Sequence, residues 1–253
     1  MCEEISWKEY RSLRLSDLKK TKYRHLWLLL YWPVEIALFF FLEHLPLERH
    51  VMHCALDDLI PFCEIWILPY VLWFACVVFI TLFTLFRDVG VFRRYMDYMI
   101  LTVLVAFAVF LLYPSVFVQP DLPSRRSVLL WIVGVVYGAD EPTNVFPSEH
   151  VVVALGMVFA VLQSPKLRRP AFAVPFLTLQ LLICLSVVFV KQHSALDILG
   201  ALPLVLLGYL SAASAPGPAS AAGKRAPARK PEPFSYNLNS SRRRGSSPPG
   251  LLL

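Results

Sequence analysis

The sequence predicts an all-α fold, a polytopic membrane bundle of about six transmembrane helices. The chain has 253 residues, of which 57% are hydrophobic and 17% are charged, and its mean hydropathy is +0.58. Soluble domains are nearer to about 45–50% apolar. Apolar windows of about 20 residues recur, and each is long enough to cross a bilayer core as a helix. Lipid-facing backbone must satisfy its hydrogen bonds internally, so these windows are expected to be helical.

Six apolar segments are predicted to span the membrane: 26–42, 65–86, 96–113, 146–162, 171–190 and 195–211. Pro33 lies inside the first and predicts a kink or a packed break there. The segment before them, 1–25, is polar and basic, so no cleaved signal peptide is expected and the first apolar run stays as an anchor. Residues 212–253 are rich in Ala, Pro, Ser, Gly and Arg, a composition that cannot bury a core and predicts a disordered tail.

Basic residues are concentrated in four segments that share one side of a six-span layout. These are the N-terminal segment, the loop with Arg87, Arg93 and Arg94, the loop with Lys166, Arg168 and Arg169, and the tail. Positive loops face the cytoplasm, which predicts cytoplasmic termini and a plasma-membrane protein. Segments 43–64, 114–145 and 191–194 are then extracytoplasmic, and Arg125 and Arg126 are exceptions to the charge bias. The polybasic tail also suits contact with anionic membrane lipids.

The extracytoplasmic loops carry residues with more than one interpretation. Asp57, Asp58 and Glu64 fit a solvated loop face better than a headgroup pocket. Trp66, Tyr70 and Trp73 lie about a turn apart and fit an interfacial aromatic belt. Of the five cysteines, Cys2, Cys54, Cys63, Cys76 and Cys184, none shows metal-ligand spacing, and Cys54 and Cys63 could pair only in an oxidising compartment.

Two clusters of polar and ionisable residues interrupt the apolar pattern. The first runs from Asn144 to His150, reads NVFPSEH and opens the fourth span. The second runs from Val190 to Gly200, reads VKQHSALDILG and lies between the fifth and sixth spans. Ionisable groups at membrane depth are costly and mark functional sites. In the predicted topology both clusters lie at extracytoplasmic helix ends.

Each cluster contains a helix start. Ser148 follows Pro147 and precedes an apolar run, so it is a candidate N-cap. Ser194 stands three residues before Asp197, close to the capping-box pattern. Two helix N-termini are therefore expected to present free backbone N–H groups on one membrane face. Such termini attract anions, and phosphate in particular.

His193 and Asp197 are four residues apart, a spacing that places two side chains on one helix face. A carboxylate beside an imidazole fixes its tautomer and raises its basicity, as in nucleophilic sites. His193 is thus a candidate to attack phosphorus, and His150 a candidate to protonate the leaving oxygen. Three other interpretations stay open: capping by Ser194 and Asp197 alone, stray interfacial histidines, or a zinc site of His150, His193 and Asp197.

Pro147-Ser148-Glu149-His150, followed by His193-Ser194-Ala195-Leu196-Asp197, resembles two motifs of the type-2 phosphatidic acid phosphatase superfamily. Those motifs read Pro-Ser-x-His and His-x-x-x-Asp. The resemblance is nearest to the branch with bacterial lipid phosphatases, inositol phosphorylceramide synthases and sphingomyelin synthases. It implies an enzyme with His193 as nucleophile, Asp197 as its partner and His150 as acid, and it implies no metal or other cofactor.

The implied activity is hydrolysis of a lipid phosphate at the extracytoplasmic face, or transfer of a phospho-headgroup to a lipid hydroxyl. Its partners would be a lipid phosphate substrate and membrane lipids, and no nucleic acid. Ser148 would contact the substrate phosphate.

The chain departs from that family where a cation should hold phosphate. The phosphatase branch has an Arg six residues before the nucleophile, and here that position is Val187. The family's first motif, Lys-x6-Arg-Pro, also has no clean match. Positioned positive charge matters for phosphoryl transfer, so Lys191 is the first substitute expected, followed by Arg125 or Arg126. The missing Arg leaves a third interpretation open, a catalytically degenerate lipid-binding protein.

Overall fold

The computed structural model describes residues 7–214, and it confirms the all-α fold. Within that range the chain forms nine α-helices, three 3-10 helices and two short strands. The α-helices are α1 (Trp7–Arg11), α2 (Tyr31–Glu43), α3 (Ala55–Leu59), α4 (Ile67–Arg87), α5 (Val89–Leu112), α6 (Val128–Ala139), α7 (Glu149–Gln163), α8 (Pro170–Phe189) and α9 (Ala195–Ser214). The 3-10 helices are Leu15–Lys19, Thr21–Leu30 and Glu64–Trp66, and the strands are β1 (His50–Val51) and β2 (Ser115–Val116).

The protein is an integral membrane protein. In the described range, five helical segments are long and apolar enough to span a bilayer: Thr21–Glu43, Glu64–Arg87, Val89–Leu112, Pro170–Phe189 and Ala195–Ser214. They match the predicted spans, apart from small shifts at their ends. The first changes from 3-10 to α geometry at Tyr31, just before the Pro33 that predicted a break.

The fourth predicted span forms α7, which has only 15 residues. At ~1.5 Å per residue it is about 22 Å long, shorter than a hydrocarbon core of about 30 Å. It packs against α4, α5, α8 and α9. This enclosed helix therefore begins within the bundle, and its first residues lie at a protein-lined position.

Helix α6 was not predicted, because segment 114–145 was assigned only as an extracytoplasmic connection between two spans. Ser127 is its N-cap, and the Ser127 hydroxyl accepts a hydrogen bond from the N–H of Leu130. With 12 residues the helix is too short to cross a bilayer. A polar cap followed by an apolar run is the sequence signal for this helix, but the run is shorter than a membrane span.

Three of the four basic segments meet at one end of the bundle, as predicted. The Tyr10 hydroxyl donates to the Leu85 carbonyl at 3.3 Å. The Ser164 hydroxyl donates to Asp88 at 3.3 Å, and the Lys166 ammonium donates to the Arg87 carbonyl at 2.5 Å. Helix α9 runs toward this basic end and reaches Ser214. The rest of the predicted tail lies outside the described residues.

Small residues let α5, α7 and α9 approach closely. A Cβ at Gly156 of α7 or at Gly208 of α9 would collide with the ring of Tyr98 on α5. The Tyr98 hydroxyl also donates to the Val152 carbonyl of α7 at 2.9 Å. Small residues at helix crossings allow such approach in membranes. The close packing fixes the start of α7 beside the start of α9.

Candidate active site

The turn between α8 and α9 carries His193. The N–H groups of Gln192 and His193 both donate to the Val187 carbonyl, which closes the C-terminus of α8. Lys191 has a φ of 56°, in the left-handed region that a non-glycine residue rarely adopts. This tight reversal holds His193 in a fixed place, two residues before α9 begins.

The His193 ring is held by two oxygen acceptors on the same nitrogen. Its Nδ1 lies 3.0 Å from the Val145 carbonyl oxygen and 3.2 Å from Asp197 Oδ2. Because both partners accept, the neutral ring carries its proton on Nδ1 and has its lone pair on Nε2. The predicted pairing of His193 with Asp197 is present, although α9 begins only at Ala195. His193 is 8% exposed, so little water can reach its ring and replace these two hydrogen bonds.

His150 lies beside His193 and is enclosed by aromatic rings. The two imidazole centroids are 5.7 Å apart, with the rings edge to face. The rings of Tyr70 and Trp73 flank His150, at centroid distances of 4.7 and 4.6 Å. The Trp73 indole N–H donates to the His150 carbonyl at 3.2 Å. The prediction of an interfacial belt is therefore wrong for Tyr70, which is buried against the site.

Asp140, at the end of α6, is a further site residue that the sequence did not reveal. The Tyr70 hydroxyl donates to its Oδ2 at 3.2 Å. Burial raises the pKa of the Asp140 carboxyl, while His193 and the hydrogen bond from Tyr70 act in the opposite direction. An acid directly after a short apolar helix was its only sequence signal, and loop acids are usually solvated.

The start of α9 is capped by protein groups at every amide of its first turn. The Ser194 N–H donates to Asp197 Oδ2 at 2.9 Å and the Ala195 N–H to Asp57 Oδ1 at 2.8 Å. The Leu196 N–H donates to Ser194 Oγ at 3.2 Å, and the Asp197 N–H donates to the Ser194 carbonyl. Half of the predicted capping box is present, because Asp197 accepts from the Ser194 N–H while Ser194 Oγ accepts from Leu196 and not from Asp197. The expectation of free N–H groups here is wrong, because Asp57 and Asp197 occupy them.

Asp57 was expected on a solvated loop face, and that expectation is wrong. Its side chain is buried and accepts from Ser194 Oγ at 2.5 Å and from the Cys54 N–H at 2.9 Å. Burial raises the pKa of Asp57, but these hydrogen bonds and that from Ala195 outweigh burial, so its pKa lies below the ordinary value. Asp57 and Ser194 are 137 residues apart in the chain, so no local sequence pattern indicates their contact.

The start of α7 differs from the start of α9, because the N–H groups of its first turn are not capped by residues in the range 7–214. Ser148 is the N-cap residue, as predicted, but its side chain makes no capping hydrogen bond. Within residues 7–214, the N–H groups of Glu149, His150 and Val151 form no hydrogen bond. Ser148 Oγ and His150 Nε2 are buried and also lack partners in this range. This helix start thus retains the donors that the sequence predicted for an anion site.

The predicted cations form hydrogen bonds with protein oxygens. The Lys191 ammonium donates to the carbonyls of Asp57 and Ile60, at 2.7 and 2.6 Å. The Arg125 guanidinium forms an ion pair with Glu64. Arg125 and Arg126 line a groove of about 570 Å³ beside α6. The described contacts of these three side chains therefore do not include the His150–His193 pair.

Glu149, which would repel a substrate phosphate, contacts a different helix. Its carboxyl hydrogen-bonds the carboxyl of Glu35 on α2. In residues 7–214, no group of three His, Cys, Asp or Glu side chains is arranged to hold a metal ion.

Comparison with protein-family models, with curated proteins and with solved structures finds no match to this chain. The chemistry of the site has to be argued from its own residues.

Proposed function

We propose that the protein is a lipid-phosphate phosphatase, a hydrolase of phosphoric esters that acts through a phospho-His193 intermediate. One observation carries the proposal: Nδ1 of His193 is engaged by Val145 and Asp197, while a second histidine ring lies 5.7 Å away. That tautomer leaves the Nε2 lone pair as the nucleophile. The His–carboxylate pair then stabilises the charge that develops on the ring.

The reaction proceeds in two steps with balanced protons. The Nε2 lone pair of His193 attacks phosphorus, and the bond between phosphorus and the lipid oxygen breaks. The phosphate anion bound beside His150 favours the protonated imidazole, which gives its proton to the leaving oxygen, and that oxygen departs as a lipid alcohol. Water then attacks phospho-His193, neutral His150 accepts the proton from the water, and inorganic phosphate leaves. Both histidines return to their starting states.

The start of α7 supplies the electrostatic contribution that the missing Arg would otherwise make. Three free N–H groups and the positive end of the helix dipole attract phosphate oxygens. The Ser148 hydroxyl provides one more donor, and protonated His150 provides a positive charge. Donors aimed at developing charge in a site of low dielectric contribute strongly to rate. Lys191 and Arg125 remain substrate-binding candidates only if they leave their present partners, and Arg126 lines the groove beside α6.

The proposed site faces outward at the plasma membrane, with both termini in the cytoplasm. The basic end of the bundle supports this orientation, since basic loops stay on the cytoplasmic side. The His150–His193 pair lies at the opposite end, where Val145 accepts from the His193 ring and the Phe146 N–H donates to Ser115 of β2. A lipid phosphate in the outer leaflet would present its headgroup at that level.

A specific observation favours a second function, lipid binding without catalysis. Lys191 and Arg125 are already engaged with protein oxygens, so an attacked phosphate would rely on neutral donors and on His150. In that case the protein would bind lipid phosphates and would not turn them over. Transfer of phosphate to a lipid hydroxyl, through the same phospho-His193, is the remaining alternative.

The test is a product assay on the detergent-purified protein with phosphatidate and a polyprenyl diphosphate. Free phosphate and new phospholipid are measured for the wild type, for His193→Ala and for His44→Ala. His44 is exposed, and its ring donates a hydrogen bond to the Phe40 carbonyl, so it serves as a control histidine outside the proposed site. We expect free phosphate from the wild type and from His44→Ala, and a loss of more than about 1,000-fold in His193→Ala.

Each other outcome of that assay selects an alternative. New phospholipid without free phosphate would replace hydrolysis by transfer. Phosphate release that persists in His193→Ala would remove His193 as the nucleophile. No product from either substrate, together with saturable binding of phosphatidate in nanodiscs, would establish the binding protein.

A further inference from the structure

We infer that Asp57 is a positioning residue that holds His193 in place from a separate loop. The inference deepens the proposed function and rests on it for its catalytic consequence. Asp57 belongs to the short helix α3, far from His193 in sequence, and its side chain is 5% exposed. Asp57 touches neither imidazole in the described contacts, so any effect on chemistry must pass through other residues.

The Asp57 carboxylate joins α3 to the start of α9. One oxygen accepts from the Ala195 N–H at 2.8 Å, and the other accepts from Ser194 Oγ at 2.5 Å. These two residues directly follow His193. A carboxylate at a helix N-terminus satisfies free donors and is favoured by the helix dipole. Asp57 therefore fixes the residues on the C-terminal side of the nucleophile.

The same loop also fixes the residues on the N-terminal side. The Lys191 ammonium donates to the main-chain carbonyls of Asp57 and Ile60, at 2.7 and 2.6 Å. The Cys63 N–H donates to the carbonyl of Phe189, the last residue of α8. His193 is thus bracketed by two attachments to one short segment, residues 54–63. These two hydrogen bonds give Lys191 a structural role beside His193, and that role does not require Lys191 to bind phosphate.

A segment attached on both sides of a nucleophile sets the direction in which that nucleophile points. In-line attack needs the reacting atoms close and aligned, and a misplacement of about 1 Å can cost about 100-fold in rate. Loss of the Asp57 carboxylate frees Ser194 and Ala195, and Asp197 is then the remaining carboxylate at the start of α9. Asp197 would be drawn toward the freed amides, which weakens its contact with His193 Nδ1. We expect a slower chemical step without a matching loss of substrate binding.

The variants are Asp57→Ala and Asp57→Asn, with Asp58→Asn as the matched control. Asp58 is the next residue, is exposed and pairs with His53, so it tests for a general effect of charge in the loop. Asp57→Asn retains the size of the side chain and one acceptor oxygen, and it serves if Asp57→Ala does not fold. Thermal unfolding in detergent identifies the folded variants.

Two measurements separate positioning from a purely structural role. The first is kcat and KM for phosphatidate: we expect kcat to fall about 10- to 100-fold in the Asp57 variants while KM changes less than about 3-fold. The second needs no activity. Carbethoxylation of His193 by diethyl pyrocarbonate, followed by mass spectrometry, reports the freedom of its ring relative to the exposed His44.

The expected result is a His193 modification rate that changes at least about 3-fold in folded Asp57 variants and stays unchanged in Asp58→Asn. Asp57 and His193 belong to one hydrogen-bond network through Ser194 and Asp197, and residues in such a network are coupled strongly enough for a change of this size. An unchanged rate in folded Asp57→Asn and Asp57→Ala would overturn the inference, whatever the activity. If the wild type shows no turnover at all, the proposed function fails, and the modification rates still decide whether Asp57 positions His193.

Discussion

Helices α7 and α9 both begin after a serine at the same end of the bundle, yet their first turns use their amides differently. At α9, Asp57, Asp197 and Ser194 occupy the amides. At α7, the amides of residues 149–151 have no hydrogen-bond partner among residues 7–214, and the Ser148 side chain makes no capping hydrogen bond there. The sequence predicts free N–H groups at both helix starts, but the structure keeps them only at α7. In the proposed mechanism, the α9 start holds His193 in place and the α7 start keeps donors for a phosphate.

The link between the two helix starts is direct. The Ser148 N–H donates to the Asp197 carbonyl at 3.0 Å, and Asp197 is the carboxylate that holds His193. A ligand at the α7 start would therefore lie next to the residue that orients the nucleophile. Gly200 allows this approach, because a Cβ there would collide with the ring of Phe146, which precedes α7.

The largest expected effect of a substitution at the α7 start belongs to His150. Removal of a general acid or base typically costs about 100- to 10,000-fold. His150→Gln retains an amide near the site but cannot exchange a proton at neutral pH. We expect kcat to fall within that range, measured by phosphate release from phosphatidate. A leaving group of low pKa, such as a p-nitrophenyl ester, should recover part of the rate, because it needs no proton.

Equal losses with the two leaving groups would contradict the assignment of His150 as the acid. They would instead indicate that His150 only fills the space between Tyr70 and Trp73.

The next effect is expected from Ser148→Ala. A hydrogen bond to a charged group contributes about 1.5–3 kcal/mol, which corresponds to a loss of roughly 10- to 150-fold in kcat/KM. Because the buried Ser148 hydroxyl makes no hydrogen bond in residues 7–214, its removal should lower the free energy of unfolding by no more than about 0.5 kcal/mol. Steady-state kinetics and chemical unfolding in detergent measure the two quantities. A large loss of stability with unchanged kcat/KM would reverse the roles of the two helix starts.

The smallest effect on activity is expected from Ser194→Ala, the counterpart at α9. The Ser194 hydroxyl caps its own helix and donates to Asp57. Removal of an N-cap side chain costs about 0.5–2 kcal/mol of stability. We expect that loss in chemical unfolding, with a smaller fall in kcat/KM than in Ser148→Ala. If Ser194→Ala leaves the free energy of unfolding unchanged, the hydrogen bonds of the Ser194 hydroxyl to Leu196 and Asp57 are not formed in the detergent-solubilised protein.

The bundle was predictable, because apolar windows and blocks of charge are local patterns. Five spans agree with the predicted segments, and the contacts of Tyr10, Ser164 and Lys166 place three basic segments together. The short α6 escaped prediction because its 12 residues fall below the length of a membrane span.

The candidate site was predictable only in part. Spacing predicted the pairing of His193 with Asp197, and the predicted topology placed the motif of Ser148 and His150 on the same membrane face. Asp57 and Asp140 could not be found this way, since each reaches the site by packing between segments far apart in the chain. A loop acid that caps a distant helix looks the same in sequence as one that faces water.

The most direct test of the account is to trap the phosphoenzyme. Phosphatidate labelled in its phosphate is mixed with the protein and quenched in alkali, which preserves phosphohistidine, and the label is located by mass spectrometry of the peptides. The proposed phospho-His193 mechanism predicts phosphate on His193 in the wild type, none on this position in His193→Ala, and slower formation of phospho-His193 in His150→Gln. Turnover of phosphatidate with no label on His193, or with label on Ser148 instead, would contradict it.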